Sequence, residues 1–182
     1  YPTLHRRDFA PVYRQSVLLT QEVDPEILQK AVDLTMPRFP TYKAAMRKGL
    51  FWRYLEPNNR PGPFVQPDIK NPCQPMYFKE NNRYLIRFYY YKKRISLEAH
   101  HSLGDGTGGM CVLQTVTAVY LKLKGYPVDT ALPKDKGYLV MNIDEQPDLE
   151  ELEDAYMKYA NAKVCPPRPA EKTYRIKGTK EP

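Results

Sequence analysis

Two strand-length runs, RYLIRFYYY over residues 83–91 and RISLEA over 94–99, stand only two residues apart. A connection that short permits an antiparallel hairpin and excludes a parallel crossover. Both runs are rich in β-branched and aromatic residues, which suit a pleated, half-buried surface. The turn at Lys92-Lys93 lacks an Asn-Gly signature, so its type stays open. The second strand leads through EAHHSLGDGTGG (98–109) into a predicted helix over 107–124, where Met110, Leu113, Val116, Thr117, Tyr120 and Leu121 recur at helical spacing. Lys122 and Lys124 suit its C-terminal end, and Gly125 then Pro127 stop it.

Upstream, VYRQSVLLT (12–20) reads as a further strand. Asp24, Pro25 and Glu26 supply an N-cap, a first-position proline and a first-turn acid. Ile27, Leu28, Ala31, Val32 and Thr35 then form one apolar stripe, ended by Pro37 and Pro40. Residues 42–47 and 50–55 are predicted as two strands around Gly49, with Leu50, Trp52 and Tyr54 on one face and Phe51, Arg53 and Leu55 on the other. Residues 57–76, dense in proline, read as a long irregular connection. A short acidic helix is expected over 149–161, with Leu149, Leu152, Tyr156 and Tyr159 on one side. The linker-like end holds one further predicted strand, Thr173–Ile176. The order of elements predicts an α/β (α+β) sandwich: a mixed, largely antiparallel sheet covered by helices.

At 182 residues the chain is long enough for one sizeable core, or at most two small ones. Lys and Arg exceed Asp and Glu by seven, a balance that admits nucleic acid, an anionic membrane or a phosphorylated ligand as partners. The charges are scattered, however, and the densest cluster, Lys92-Lys93-Arg94, falls at the hairpin turn. Alternate residues of RYLIRFYYYKKR must also cover a core, so nucleic acid is not expected. No apolar run approaches membrane-span length. Cys73, Cys111 and Cys165 are odd in number, far apart and without a zinc-like spacing, which fits free thiols in a reducing, cytoplasmic setting. The first residue is Tyr, so the sequence reads as a piece of a longer protein.

Two of the three histidines, His100 and His101, stand side by side at the end of the second hairpin strand. A neutral imidazole is the natural general base at neutral pH, and loops at strand ends are where reactive side chains are displayed. A metal site is not expected, because adjacent strand residues point to opposite faces and no third ligand is near. Glycines in the loop permit positive φ and leave room beside the imidazole. Asp105 can hold the imidazole, cap the following helix or pair with an arginine. On spacing alone an ordinary capped turn is as good a reading as a catalytic one.

His100-His101-Ser102-Leu103-Gly104-Asp105-Gly106 resembles the His-His-x-x-x-Asp-Gly motif of the CoA-dependent acyltransferase superfamily, which includes chloramphenicol acetyltransferase and the condensation domains of peptide synthetases. With VDPEILQKAVDLTMPRFP, KGLFWRYLEPN, YLIRFYYYKKRISLEAHHSLGDGTGG and LEELEDAYMKYA, the chain is most similar to the N-terminal half of alcohol acetyltransferase-like proteins. The resemblance implies a chloramphenicol acetyltransferase-like half-domain over 1–148, carrying the loop. It implies a helix and crossover linker over 149–182 towards a C-terminal half-domain missing from the chain, with a tunnel between the two halves. It implies His101 as the general base, acyl-CoA as co-substrate with no bound cofactor, and a small alcohol or amine as acceptor. His100 would support the loop, Gly106 would keep space beside the base, and Asp105 would be structural, paired with an arginine for which Arg14 is the candidate. A homo-oligomer is compatible with this reading. The alternatives are a non-catalytic binding module that keeps the fold, and a condensation-type, amide-forming enzyme.

Overall fold

The computed structural model describes residues 11–51, 53–76, 81–128 and 139–153. The chain divides into two units, Tyr1–Asp148 and Leu149–Pro182. The described elements of the first are β1 (Val12–Leu18), α1 (Pro25–Thr35), β2 (Ala44–Lys48), β3 (Arg53–Pro57), β4 (Val65–Pro67), β5 (Ile86–Tyr91), β6 (Arg94–His100) and α2 (Gly106–Leu123). A single 3-10 turn, Met36–Arg38, continues α1 through Pro37. In the second unit only α3 (Leu149–Leu152) is described, with Glu150 and Glu151 in its first turn. The rest of the helix expected over 149–161, the strand expected at Thr173–Ile176, and Cys165 lie outside the described residues.

β5 and β6 form the predicted hairpin, Tyr91 opposite Arg94, with Lys92 at φ 49° in the left-handed conformation that a two-residue hairpin turn demands. β1 pairs antiparallel with the other edge of β6, from Val12 opposite His100 to Leu18 opposite Arg94. β4 pairs parallel with β5, Val65 opposite Phe88. The sheet order is therefore β1-β6-β5-β4, mixed and largely antiparallel as expected. β2 and β3 make a separate antiparallel pair. They start later than predicted because the Tyr42 and Lys43 backbone N–H groups bond to the Phe39 carbonyl, holding the chain in a turn until Ala44. Leu50 and Phe51 fall in the connecting bend and are exposed, so the alternation expected from residue 50 begins only at Arg53; Trp52 lies outside the described residues.

β4 corrects the reading of 57–76 as wholly irregular. Prolines cannot donate, so side chains from neighbouring elements hold this stretch. Gln29 of α1 donates to the Pro63 carbonyl at 3.1 Å and accepts from Val65 N–H at 2.8 Å. Asn81 accepts from Phe64 N–H at 3.0 Å and donates to the Ile86 carbonyl at 2.6 Å.

Alternation gives the four-stranded sheet two unlike faces. Ile86, Phe88, Ile95, Leu97 and Ala99 are wholly buried and meet Leu28 and Val32 of α1 and Val112, Leu113 and Val116 of α2 in one core. α2 is buried beyond its predicted stripe, Val112, Thr115, Ala118 and Val119 included. The cause is a second layer: the returning chain bonds Leu139 N–H to the Gln114 side chain and Met141 N–H to Thr115 Oγ1. Among the described residues, no helix is long and apolar enough to cross a membrane.

α1 starts where its sequence signals place it. Asp24 Oδ1 accepts from the Glu26 and Ile27 N–H groups at 3.0 and 3.1 Å, satisfying two donors that a helix leaves open. The Asp24 N–H donates to Tyr120 Oη at 2.9 Å, tying the start of α1 to α2. Asp24→Ala keeps that tie and removes the cap. We expect a loss of about 1 kcal/mol, read as a fall of roughly 2–4 °C in the thermal midpoint. An unchanged midpoint would show that the cap contributes nothing.

Candidate active site

β6 ends at His100, and continued alternation turns the next residue, His101, to the opposite side. His100 is 0% exposed. Its Nδ1 accepts from Ser102 N–H at 3.2 Å and lies 2.8 Å from Ser102 Oγ, which places the proton of the neutral ring on Nε2. His101 is exposed. Its backbone N–H donates to the Pro11 carbonyl at 2.7 Å, and its imidazole lies 4.6 Å from the Tyr13 ring, tilted by 48°. One histidine thus anchors the loop and the next is presented from it. Among the described residues, no group of three or more His, Cys, Asp or Glu side chains is placed to hold a metal ion.

Asp105 is the N-cap of α2: its Oδ1 accepts from Gly108 N–H at 2.9 Å. Its carbonyl accepts from Gly109 N–H at 3.1 Å and from the Tyr13 hydroxyl at 2.9 Å. Gln15 Nε2 donates to the Gly106 carbonyl at 2.6 Å, so two side chains of β1 grip the start of α2. Behind them Tyr42 Oη lies 3.4 Å from Tyr13 Oη. With the Tyr13 proton given to Asp105, Tyr42 is the donor of that pair. Burial pushes both phenols up, so both stay protonated at neutral pH.

The loop glycines act differently from the sequence expectation. Gly104, Gly106, Gly108 and Gly109 do not take positive φ; among the described glycines only Gly125 does, at 86°. Three of them are required by close approach instead. A Cβ on Gly104 or Gly108 would stand 2.6 or 2.5 Å from Tyr42 Oη, and one on Gly109 would stand 2.5 Å from Tyr13 Oη. Gly106 is the exception, since a Cβ there meets only Gln15 Nε2 at 3.6 Å. The protein's own packing therefore does not require glycine at 106, and the role implied for it, space beside the base, remains part of the functional proposal.

Arg14 does not pair with Asp105. Tyr13 and Gln15 face the loop, so Arg14 between them faces the opposite side of the sheet. There Arg14 lies 2.6 Å from Asp68 Oδ2 and 3.7 Å from Glu98 Oε1, the residue opposite it in the register. Arg87 reaches Glu98 Oε2 at 2.7 Å and Arg94 reaches Asp68 Oδ2 at 2.9 Å. The proline-dense connection crosses this face: Cys73 N–H donates to Glu98 at 2.7 Å, and Arg87 donates to the Gln74 carbonyl at 2.7 Å. Glu98 and Asp68 side chains are only 2% and 6% exposed, and the guanidiniums around them offset what burying two carboxylates costs. Burial alone would raise the Asp68 carboxyl, but the Arg14 and Arg94 guanidiniums outweigh it and hold the group below its ordinary range.

The structure thus brings His100, His101, Asp105 and Gly106 together and sends Arg14 elsewhere. Tyr13, Gln15 and Tyr42 join the loop without having been singled out in the sequence. Their signal was the glycine run continuing past the seven-residue motif to Gly108 and Gly109, which calls for something bulky pressed against a helix start. Glu98 carried a signal too, as a carboxylate inside an otherwise apolar strand.

Neither the scan of family models nor the search of curated proteins finds a match to this chain. Solved structures do match. The SgcC5 protein from Streptomyces globisporus, in complex with (R)-(-)-1-(2-naphthyl)-1,2-ethanediol and sucrose, is 17% identical with a TM-score of 0.51, over 68% of this chain and 32% of its own. The polyketide synthase associated protein 5 from Mycobacterium tuberculosis is 15% identical, TM-score 0.48, over 65% and 31%. The starter condensation domain of rhizomide synthetase RzmA is 13% identical, TM-score 0.48, over 72% and 39%. The chain spans about a third of the length of the structures it matches. The likeness to SgcC5 establishes the fold, and that fold is the mixed sheet and helix layer that the resemblance to the CoA-dependent acyltransferase and condensation-domain superfamily implies.

Two outcomes follow from this geometry. Gly108→Ala should destabilise by about 1–3 kcal/mol, as overpacking does, and Tyr42→Phe, which removes the clashing atom, should relieve part of that loss. Denaturant unfolding of both single variants and the double variant checks it; strictly additive losses would place the phenol away from the helix start. The second outcome concerns acid. Asp68 has a folded value below its unfolded one, so its contribution is complete above the ordinary carboxylate range and is lost as pH falls through the folded value. Asp68→Asn should therefore flatten the acid limb of stability measured by urea unfolding at stepped pH; an unaltered limb would contradict the assignment.

Proposed function

We propose that this chain is the histidine-bearing half of a CoA-dependent O-acyltransferase. In this reading His101 takes the proton from the hydroxyl of a small acceptor, and the freed oxygen attacks the thioester carbonyl of acyl-CoA. The tetrahedral intermediate collapses, the C–S bond breaks, and the imidazolium returns its proton to the departing CoA thiolate. An amine acceptor runs through the same steps and yields an amide.

The observation that carries the reading is the divergence of the two histidines. His100 is buried and held by Ser102, while His101 is exposed on a loop pinned at Pro11 on one side and Asp105 on the other. A general base needs this combination of access and fixed geometry. The hydroxyl acceptor class is supported by SgcC5, which shares the fold and whose structure holds a 1,2-ethanediol. The remaining wall of the site, with the donors that a thioester oxyanion requires, we assign to a second half-domain. The acyl-CoA would be drawn from the cytoplasm.

The test is thiol release from acetyl-CoA by the full acyltransferase, offered small alcohols and amines in turn. His101→Ala should lower turnover by about 10²–10⁴-fold with the fold intact, because the side chain is exposed. His100→Ala should instead lower stability. Undiminished turnover by His101→Ala would sink the assignment.

A further inference from the structure

We infer that Tyr13 is a positioning residue for His101, holding the imidazole with its ring and the far end of the same loop with its hydroxyl. The inference rests on the reading of His101 as the base and adds a residue outside the His-His-x-x-x-Asp-Gly motif.

The geometry begins with the register. Val12 lies opposite His100 and Tyr13 opposite Ala99, so the Tyr13 side chain shares a face with Ala99 and stands beside the next residue to turn that way, His101. The ring centroids are 4.6 Å apart. The phenol then continues past the imidazole to the Asp105 carbonyl at 2.9 Å, four residues further along the loop. One side chain therefore touches both ends of the His101–Asp105 segment. The backbone beside it does the same work at closer range, as the Pro11 carbonyl takes the His101 N–H at 2.7 Å.

Three further observations indicate that the loop is shaped around this phenol. Gly109 leaves it room: a Cβ there would stand 2.5 Å from Tyr13 Oη and 2.7 Å from Cε2. Tyr42 backs the hydroxyl from behind at 3.4 Å, and Gly104 and Gly108 make room for Tyr42 in turn. Gln15, two residues along β1, bonds the adjoining Gly106 carbonyl, so the helix start does not shift away from the ring.

Rotation about a histidine's side-chain bonds moves its ring nitrogens by several ångströms, and a base misplaced by about 1 Å loses on the order of 10²-fold in rate. The Tyr13 ring, tilted by 48° with its centroid 4.6 Å away, blocks the rotamers that would swing the imidazole into it. Tyr13 is not itself a proton carrier here. Its proton is committed to a backbone carbonyl, and its place in the mechanism is geometric.

The test has a spectroscopic arm and a kinetic arm. In NMR of the 182-residue chain, the His101 ring protons should show a ring-current shift and an NOE to the Tyr13 ring. Tyr13→Phe should keep the shift and Tyr13→Leu should abolish it. In the full acyltransferase, Tyr13→Leu should lower kcat about 10- to 100-fold with KM within about twofold, and Tyr13→Phe should recover most of the loss. A thermal transition confirms that each variant folds; should Tyr13→Leu not fold, the wild-type NOE and the Tyr13→Phe spectrum still decide the contact. Absence of both shift and NOE overturns the inference, as does an unchanged kcat in folded Tyr13→Leu while His101→Ala is inactive. Full activity of His101→Ala defeats the base assignment instead, and leaves the NMR arm to decide the contact alone.

Discussion

The register between β1 and β6 is the constraint from which the rest of the site follows. It sets Tyr13 opposite Ala99 and Arg14 opposite Glu98, and those two pairs sit on opposite faces of the sheet. A slip of one residue would exchange the faces, burying a guanidinium among Phe88 and Leu97 and lifting the phenol away from the loop. Each face penalises that slip by itself. On one side the loop holds Tyr13 and Gln15 by hydrogen bonds and close packing; on the other, two nearly buried carboxylates need Arg14. The geometry around His101 is thus secured partly by an ion-pair cluster that never touches it.

The loop itself shows how a short motif and its surroundings divide the work. Within the motif, His100 and Asp105 hold the backbone: one bonds Ser102, the other caps α2. Outside it, Tyr13, Gln15 and Tyr42 press on the helix start, and the glycines are where that pressure falls. Gly104, Gly108 and Gly109 are small for reasons of space, not backbone freedom. That distinction separates positions where a methyl group meets a phenol from Gly106, where it meets little within the described chain.

Much of this was legible in the sequence, because the signals were local. The two-residue gap at Lys92-Lys93 dictated the β5–β6 hairpin, Asp24-Pro25-Glu26 dictated the start of α1, and the alternation of strand residues parted His100 from His101. What could not be read depended on residues far apart in the chain. β4 is three residues long and amid prolines, and it is a strand only because β5 offers an edge and Gln29 and Asn81 supply the bonds around it. The wider burial of α2 depends on Leu139 and Met141 returning over it. The motif's carboxylate, Asp105, points to a cation partner, and Arg14 is the candidate the sequence offers. Yet Asp105 is exposed and capping, and the carboxylates that do need cations are Asp68 and Glu98. Burial and strand face, not membership of the motif, decide which carboxylates Arg14 meets.

The pairing of β1 with β6 also has a consequence in time. Ser16 and Ser96 share a hydrogen bond across a separation of 80 residues. At roughly 5–20 residues per second, a ribosome needs about 4–16 s to make the chain between them. Throughout that interval β1 is a strand without a sheet. α1 waits too, since Leu28 and Val32 pack against β5, β6 and α2, and everything that positions His101 must wait for β6. The site is therefore assembled late, because the entropy of that long loop closure is lost before the contacts that reward it can form.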